Sequence, residues 1–366
     1  MTVSLLIPVY KGSRTLEATL ESVLRQTISP DEAIIGDDTL ESDIREVQKI
    51  KKIVERFQRK TSYPVIFIKN KVNLGCQKNF QKLTNTATKD IVLYLAQDDI
   101  FSINAISIIK DAFQNNPDCG FLTRPYFWFY DDIKKPIRYV SPPNNKLHTI
   151  IPSVNELIKS NDNAQIDNAV STIFGSIGQI SGLAIKRKLI KTSFHKDIFP
   201  GHMYPIANIW KNHQGICIKD YIVAIGTETS QSRIMTGIYD DSPTEQWIRM
   251  FQANFGDSKY KKIFLSCIKH ITTNYIGLIQ IKNFSTISHI MKEIHLLFHY
   301  RPMNIISIRF WFFVLISIFI PAKVLKNITD WYKQNILSKT VPHISFLSNE
   351  LPRSRAARYL NLSSPT

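Results

Sequence analysis

The sequence predicts an α/β fold, a mostly parallel sheet with helices on both faces, followed by a helical and basic C-terminal extension. Short apolar, β-branched runs alternate with amphipathic helical segments through residues 1–125, the pattern of a parallel sheet wrapped by helices. Two of those runs lead straight into paired carboxylates, Asp37-Asp38 and Asp98-Asp99. The last third differs. Strand signals end near Pro243, and residues 259–366 carry 15 Lys and Arg against 3 Asp and Glu, which leaves 31 against 27 for residues 1–258.

Taken in order, residues 3–10 form a buried strand closed by Lys11-Gly12. Leu16, Leu20, Val23 and Leu24 then give one helical face that ends near Thr27, before Pro30. Residues 33–36 make a second strand running into Asp37 and Asp38. A charged helix follows, with Ile44, Val47, Ile50, Val54 and Phe57 inward and its charges in solvent. Residues 65–68 are a third strand, followed by the loop Asn73-Leu74-Gly75 and a helix bearing Phe80 and Leu83. The fourth strand, 91–95, delivers Asp98 and Asp99, after which Ser102 caps a helix with Ile103, Ile106, Ile109 and Phe113 inward. Phe121-Leu122 is a fifth strand. The aromatic run 126–130 beyond it is either core or a stacking surface for a ligand. The polar stretch 141–145 and a loosely ordered 161–177 are candidate lids.

Composition narrows the class. Hydrophobic content of 44% and charged content of 21% are those of a folded protein. Cys76, Cys119, Cys217 and Cys267 are too scattered for a zinc site or a disulfide framework and read as buried thiols of a reducing compartment. The N-terminal apolar run stops at Pro8, as a strand does and a signal peptide does not. No G-x-G-x-x-G follows the first strand and no G-x-x-x-x-G-K-[ST] occurs, which argues against dinucleotide dehydrogenases and P-loop enzymes. Acids at the C-terminal ends of strands lie where open α/β sheets bind ligands. There they either hold a divalent cation or cap the following helix.

Leu5-Leu6-Ile7-Pro8-Val9-Tyr10, Leu20-Glu21-Ser22-Val23-Leu24-Arg25-Gln26-Thr27, Ile34-Ile35-Gly36-Asp37-Asp38 and Leu95-Ala96-Gln97-Asp98-Asp99 resemble, in order and spacing, the successive motifs of the family 2 nucleotide-sugar glycosyltransferases. Asn73-Leu74-Gly75-Cys76-Gln77-Lys78-Asn79-Phe80 is similar to the bacterial rhamnosyltransferase-like subgroup. The resemblance covers residues 1–125 and, more weakly, 175–226. It implies a GT-A-like fold, with a catalytic unit over 1–235 made of a nucleotide-sugar half, 1–125, and an acceptor half, 126–235. It also implies transfer of a hexosyl or deoxyhexosyl group from a nucleoside diphosphate sugar, with UDP or dTDP favoured. The acceptor would be a hydroxyl of a lipid-linked or polysaccharide glycan, and the transfer would invert, in cell-surface glycan synthesis. The alternative is a catalytically inactive relative that binds nucleotide sugar or glycan.

Residue by residue, the resemblance places Pro8, Val9 and Tyr10 at the nucleobase and gives Asp37, ahead of Asp38, the base's ring N–H. Asn73 and Gly75 would shape the loop. Lys78 would reach the diphosphate or stand in solvent, and Gln97 and Asp98 would lie at the donor. The first acid of the family's D-x-D falls on Ala96, which leaves Asp98 and Asp99 for Mg²⁺ or Mn²⁺. The acceptor base is usually an acid in a later segment, where this chain has Phe199-Pro200-Gly201-His202-Met203-Tyr204-Pro205. His202 is thus either the base or a pocket and helix-cap residue, and Asp197 is the second candidate base.

In the C-terminal region, spanning 236–345, residues 305–320 are the most apolar stretch. They fall short of the ~20 residues a bilayer requires and are interrupted by Arg309. Lys323, Lys326 and Lys333 follow, interleaved with Trp331 and Tyr332. Such a helix is an interfacial anchor on an anionic membrane, a buried packing helix or, third, a span. The expectation is a cytoplasmic protein, peripheral at the inner face of the plasma membrane, with no nucleic-acid partner and a flexible tail over 346–366.

Overall fold

Strand β1 (Val3–Val9) lies at the centre of the sheet, and every residue but Pro8 is buried, as a strand covered on both faces requires. In the computed structural model, which describes residues 1–130, 132–227, 238–342 and 344, it is flanked by β2 (Glu32–Asp37) and β4 (Ile91–Tyr94), with β3 (Val65–Lys69) beyond β2, all parallel. The remaining chain adds β5 (Ile100–Phe101), β6 (Cys119–Thr123), β7 (Tyr126–Phe129), β8 (Arg138–Val140), β9 (His148–Ile151), β10 (Ala184–Lys186), β11 (Gln214–Ile218) and β12 (Val223–Gly226). The main sheet has the order β3-β2-β1-β4-β10-β6-β11-β9, and a second sheet the order β5-β12-β7-β8. β10 runs antiparallel to both its neighbours, so the parallel half joins a mixed half there.

Alternation along the strands sorts the core into two layers. Leu5 and Ile7 face one way, onto α1 (Leu16–Leu24), α2 (Ile44–Gln58) and α4 (Ala105–Asn115), through Leu20, Val54 and Phe113. Leu6 faces the other way, in a layer with α3 (Cys76–Thr86), α6 (Asn163–Ser176) and α7 (Met203–Trp210). The short α5 (Val154–Ser160) is fixed by a capping box between Ser153 and Glu156.

Two local expectations change, and the choice left open at the aromatic run resolves to core. Residues 163–176 are a helix, not a loose lid, because Ile166, Ala169, Val170, Ile173 and Phe174 bury one face. The aromatic run is β7, which is core throughout. The helix after Asp99 starts at Ala105 because β5 intervenes, and Ser102 instead accepts from Gln26 Nε2 through its carbonyl at 2.6 Å. Of the four free cysteines, Cys119, Cys217 and Cys267 are buried and Cys76 is exposed.

Beyond the second sheet come α8 (Pro243–Phe255), α9 (Lys261–Thr272), α10 (Ile276–Phe284), α11 (Ile287–Tyr300), α12 (Ile308–Phe319) and α13 (Ala322–Asn335). α8 and α9 dock on α6, with the Phe174 and Phe251 rings 4.9 Å apart and Lys269 Nζ 2.7 Å from Asp167. α10, α11 and α12 enclose a separate cluster around Tyr275, Leu278, Ile281, Leu297 and Phe310. α13 returns toward the second sheet, where Asp330 accepts from the Tyr130 hydroxyl at 2.7 Å and Ile344 packs with Phe127 and Phe129. No helix among the described residues is long and apolar enough to cross a membrane. The expected boundary at 235/236 and the tail 346–366 lie outside the described residues.

Candidate functional site

The order 3-2-1-4 puts a topological switch between β1 and β4, since the chain leaves β1 toward β2 and returns on the other side as β4. A crevice opens at such a point, outside the carboxyl ends of the strands. Pro8, Val9 and Tyr10 end β1 there, with Pro8 half-buried, Val9 buried and Tyr10 exposed at the rim. Gln97 is committed to Tyr10. Its Oε1 accepts from Tyr10 N at 2.8 Å and its Nε2 donates to Tyr10 O at 2.9 Å, while its own carbonyl accepts from Thr19 Oγ1 at 2.7 Å. Gly12 makes room for this clamp, because a Cβ there would lie 2.1 Å from Gln97 Oε1.

The two acids after β2 behave differently. Asp37 is buried. Its Oδ1 accepts from Thr39 N at 2.9 Å, but its Oδ2 has no hydrogen-bond partner and lies 3.8 Å from Lys69 Nζ. Asp38 is saturated, accepting from Leu74 N (2.8 Å), Gly75 N (2.8 Å) and Asn70 Nδ2 (3.0 Å). It therefore shapes the loop in front of α3. Asn73 closes an Asx turn onto Gly75 N at 2.8 Å, and Gly75 sits at φ +80°, where a side chain would be strained. Asn79 ties the same helix to β2 by donating to Gly36 O at 2.9 Å. Lys78 is exposed in the first turn of α3.

The second pair also divides. Asp98 is half-buried at the sheet edge, whereas Asp99 turns inside, accepting from Ser181 Oγ at 2.5 Å and from Gly226 N at 2.9 Å. Burial, reinforced by the neighbouring Asp98 charge, raises the Asp99 carboxyl well above the usual range. Ser181 Oγ in turn accepts from Ala96 N at 2.8 Å. Arg124, fully buried, holds the same segment by donating to the carbonyls of Ser181 (2.8 Å), Gln179 (2.8 Å) and Ser176 (3.2 Å). Burial lowers its guanidinium to about 10. The sequence reading passed over Arg124 and Ser181. The one available signal was a charged residue standing between two runs that both become buried strands.

On the acceptor side, Phe194 stacks on Phe80 and meets Tyr94 edge-on, and Gln77 Nε2 donates to Ile198 O at 3.1 Å. These contacts press loop 194–201 against α3 and the end of β4. His202 lies beneath this loop, buried, with Nε2 2.7 Å from Ile177 O, so that nitrogen carries the proton and donates. Burial pulls its pKa down to about 4, and the Arg124 charge adds to the effect. Asp197 is buried as well and holds three partners: Arg249 Nη2 at 2.9 Å, Tyr204 Oη at 2.8 Å and His195 Nδ1 at 2.9 Å. His195 is partly exposed and stacks on Tyr204 with centroids 4.5 Å apart.

Residues 4–173 match the family model described as glycosyl transferase family 2. This segment is similar to the family 2 glycosyltransferases. An uncharacterized glycosyltransferase of Haemophilus influenzae is 30% identical over 122 residues, 33% of this chain; the match spans only 38% of that relative's length. Among solved structures, residues 1–349 of S. aureus TarS in complex with UDP-GlcNAc superpose with a TM-score of 0.56 at 11% identity, over 91% of this chain and 92% of that one. The same protein in complex with UDP gives 0.55 over the same shares. At that identity the likeness is one of fold, and it extends past the matched domain into the C-terminal helices. The fold thus brings Tyr10, Asp37, Gly75, Lys78 and Asp98 to one end of the sheet. It sets Asp38, Gln97 and Asp99 to work inside the protein, and it buries His202 and Asp197. No cluster of three or more His, Cys, Asp or Glu side chains suited to a metal occurs among the described residues.

Proposed function

We propose that the protein moves a sugar from a nucleoside diphosphate, UDP or dTDP, to a hydroxyl of a lipid-linked or polysaccharide acceptor at a membrane surface, with inversion, in cell-surface glycan synthesis. The observation that carries the donor reading is Asp37 Oδ2, a buried acceptor with no hydrogen bond at the end of β2. Such an oxygen is costly to leave unpaired, and a ring N–H satisfies it; uracil and thymine present one, flanked by carbonyls. Tyr10, its main chain held by Gln97, supplies an exposed ring face for the base. Lys78 and the amide end of α3 favour the diphosphate.

The residues fit a divalent cation only as one carried in by the donor. Both Asp99 oxygens are engaged, so Asp98 would be the single carboxylate, which Mg²⁺ tolerates when phosphate and water complete its shell. When bound, the cation neutralises charge on the departing nucleoside diphosphate.

For the proton acceptor we favour the pair His195–Asp197 over His202. Asp197 fixes the partly exposed His195 ring from its Nδ1 side, with the carboxylate at 2.9 Å and the Asp197 N–H at 3.2 Å, and an imidazole so oriented can take a hydroxyl proton through Nε2. The burial of both His202 and Asp197, each already hydrogen-bonded, is also what favours the second reading, a binding relative without turnover.

A thermal-shift series separates these. UDP and dTDP should stabilise the protein more than GDP or ADP, and Asp37→Asn should erase the difference; equal shifts for all four would remove base reading by Asp37. Donor hydrolysis or transfer that drops at least about 10²-fold in His195→Ala, with nucleotide stabilisation kept, supports the enzyme. Nucleotide-sugar binding with no turnover on any acceptor supports the inactive relative.

A further inference from the structure

α12 buries Phe310, Val314 and Ser317 against its neighbours. Its opposite face carries Ile308, Phe312, Leu315 and Phe319, spaced so that they form one stripe along the helix. These four are 88%, 59%, 50% and 74% exposed, and Met303, Ile305 and Ile306 in the turn before them are exposed too. Soluble proteins seldom leave a contiguous apolar stripe of this kind in water unless something binds it.

Charge indicates the occupant. Residues 282–339 contain eight Lys and Arg and two acids, Glu293 and Asp330. Glu293 is buried under the hydroxyls of Ser242 and Thr244, and Asp330 is taken by Tyr130 and Lys333. Arg309, Lys323 and Lys326, by contrast, are exposed beside the stripe or just after it. A second copy of the chain would bring the same positive field against itself, whereas an anionic lipid surface complements both the charge and the apolar stripe. With 12 residues, α12 is about 18 Å long against a hydrocarbon core of roughly 30 Å, so it can lie in the interface and cannot span it.

We propose that the outer face of α12, with the turn before it, inserts into the headgroup region of an anionic phospholipid bilayer and seats the protein on that surface. This seating stands independently of the sugar-transfer reading.

Flotation of the full chain with vesicles tests it. The protein should float with vesicles of phosphatidylcholine containing phosphatidylglycerol and only weakly with phosphatidylcholine alone, and added salt should reduce the binding. Ile308→Ser/Phe312→Ser/Leu315→Ser, changed only at exposed positions, should lower partitioning at least about tenfold with an unchanged melting temperature. Arg309→Gln/Lys323→Gln should weaken binding to anionic vesicles alone. Absence of flotation with anionic vesicles overturns the proposal, as does undiminished flotation of the triple variant. A dimer in equilibrium sedimentation that the triple variant loses would give the face to a second copy instead. The triple variant should retain the wild-type response to UDP, so failure of the membrane face and failure of the donor site are read separately.

Discussion

Asp37 and Asp38 are neighbours of identical chemistry, yet only one keeps an open oxygen, and the difference comes from which backbone amides each meets. Replacing Asp37 by Asn keeps its volume and removes a charged acceptor; the expected loss in UDP affinity is about 1.5–3 kcal/mol, roughly 10- to 100-fold, measurable by calorimetry. Asp38→Asn should act differently, loosening loop 70–75 and lowering the melting temperature without nucleotide. His202 makes a prediction of its own. Its folded pKa of about 4 lies below the ordinary 6.5, so between those values the unfolded chain binds the extra proton. Stability contributed by the neutral buried ring is therefore complete above about pH 6.5 and is lost as pH falls toward 4, by up to about 3 kcal/mol. Urea unfolding across that window should show the fall, and His202→Gln should remove the part due to this residue. Its activity should retain any ascending pH limb near neutrality, because the ring is not the group that titrates there.

At the scale of elements, the crevice is held open by sutures between strand ends. Ser181 joins the loop after β4 to the segment leading into β10, giving its hydroxyl proton to Asp99 and accepting from Ala96 N. Ser181→Ala leaves a half-buried amide and a buried carboxyl each short of a partner, which should cost about 1–3 kcal/mol in denaturant unfolding. The same reasoning applies to Gly12, where Ala would intrude on Gln97 and break its clamp on Tyr10. Gly12→Ala should weaken nucleotide binding more than it weakens the fold, since the clamp sits at the exposed rim; comparing the two in one thermal-shift titration checks this. Several of these devices were open to sequence reading in outline. The strand-to-acid junctions and the Asn73–Gly75 loop stand out because their residue types are unusual at strand ends and turns. The Arg124 fan and the Ser181 bridge do not, because their partners, backbone groups and the Asp99 carboxylate, lie 52 to 85 residues away.

For the whole molecule, the C-terminal helices are both packing and surface. Removing everything after residue 300 would strip Phe310 and Val314 from the cluster around Tyr275 and Leu278 and would cut the return of α13 to Tyr130. Such a truncation should destabilise or precipitate the protein, whereas polar substitutions on the outer stripe of α12 should not; melting curves of the two distinguish packing from seating. The sequence by itself determined the alternation of strands and helices through residues 1–125, the ends of strands where acids accumulate and the charge asymmetry of the last third. Each of these follows from local periodicity, residue type or composition. Only the tertiary structure decided which carboxylate of each pair is spent inside, that His202 is buried while His195 is partly exposed, and which face of α12 meets water. Those outcomes depend on which distant backbone amides and carbonyls the fold brings within about 3 Å of a side chain, and local sequence carries no record of them.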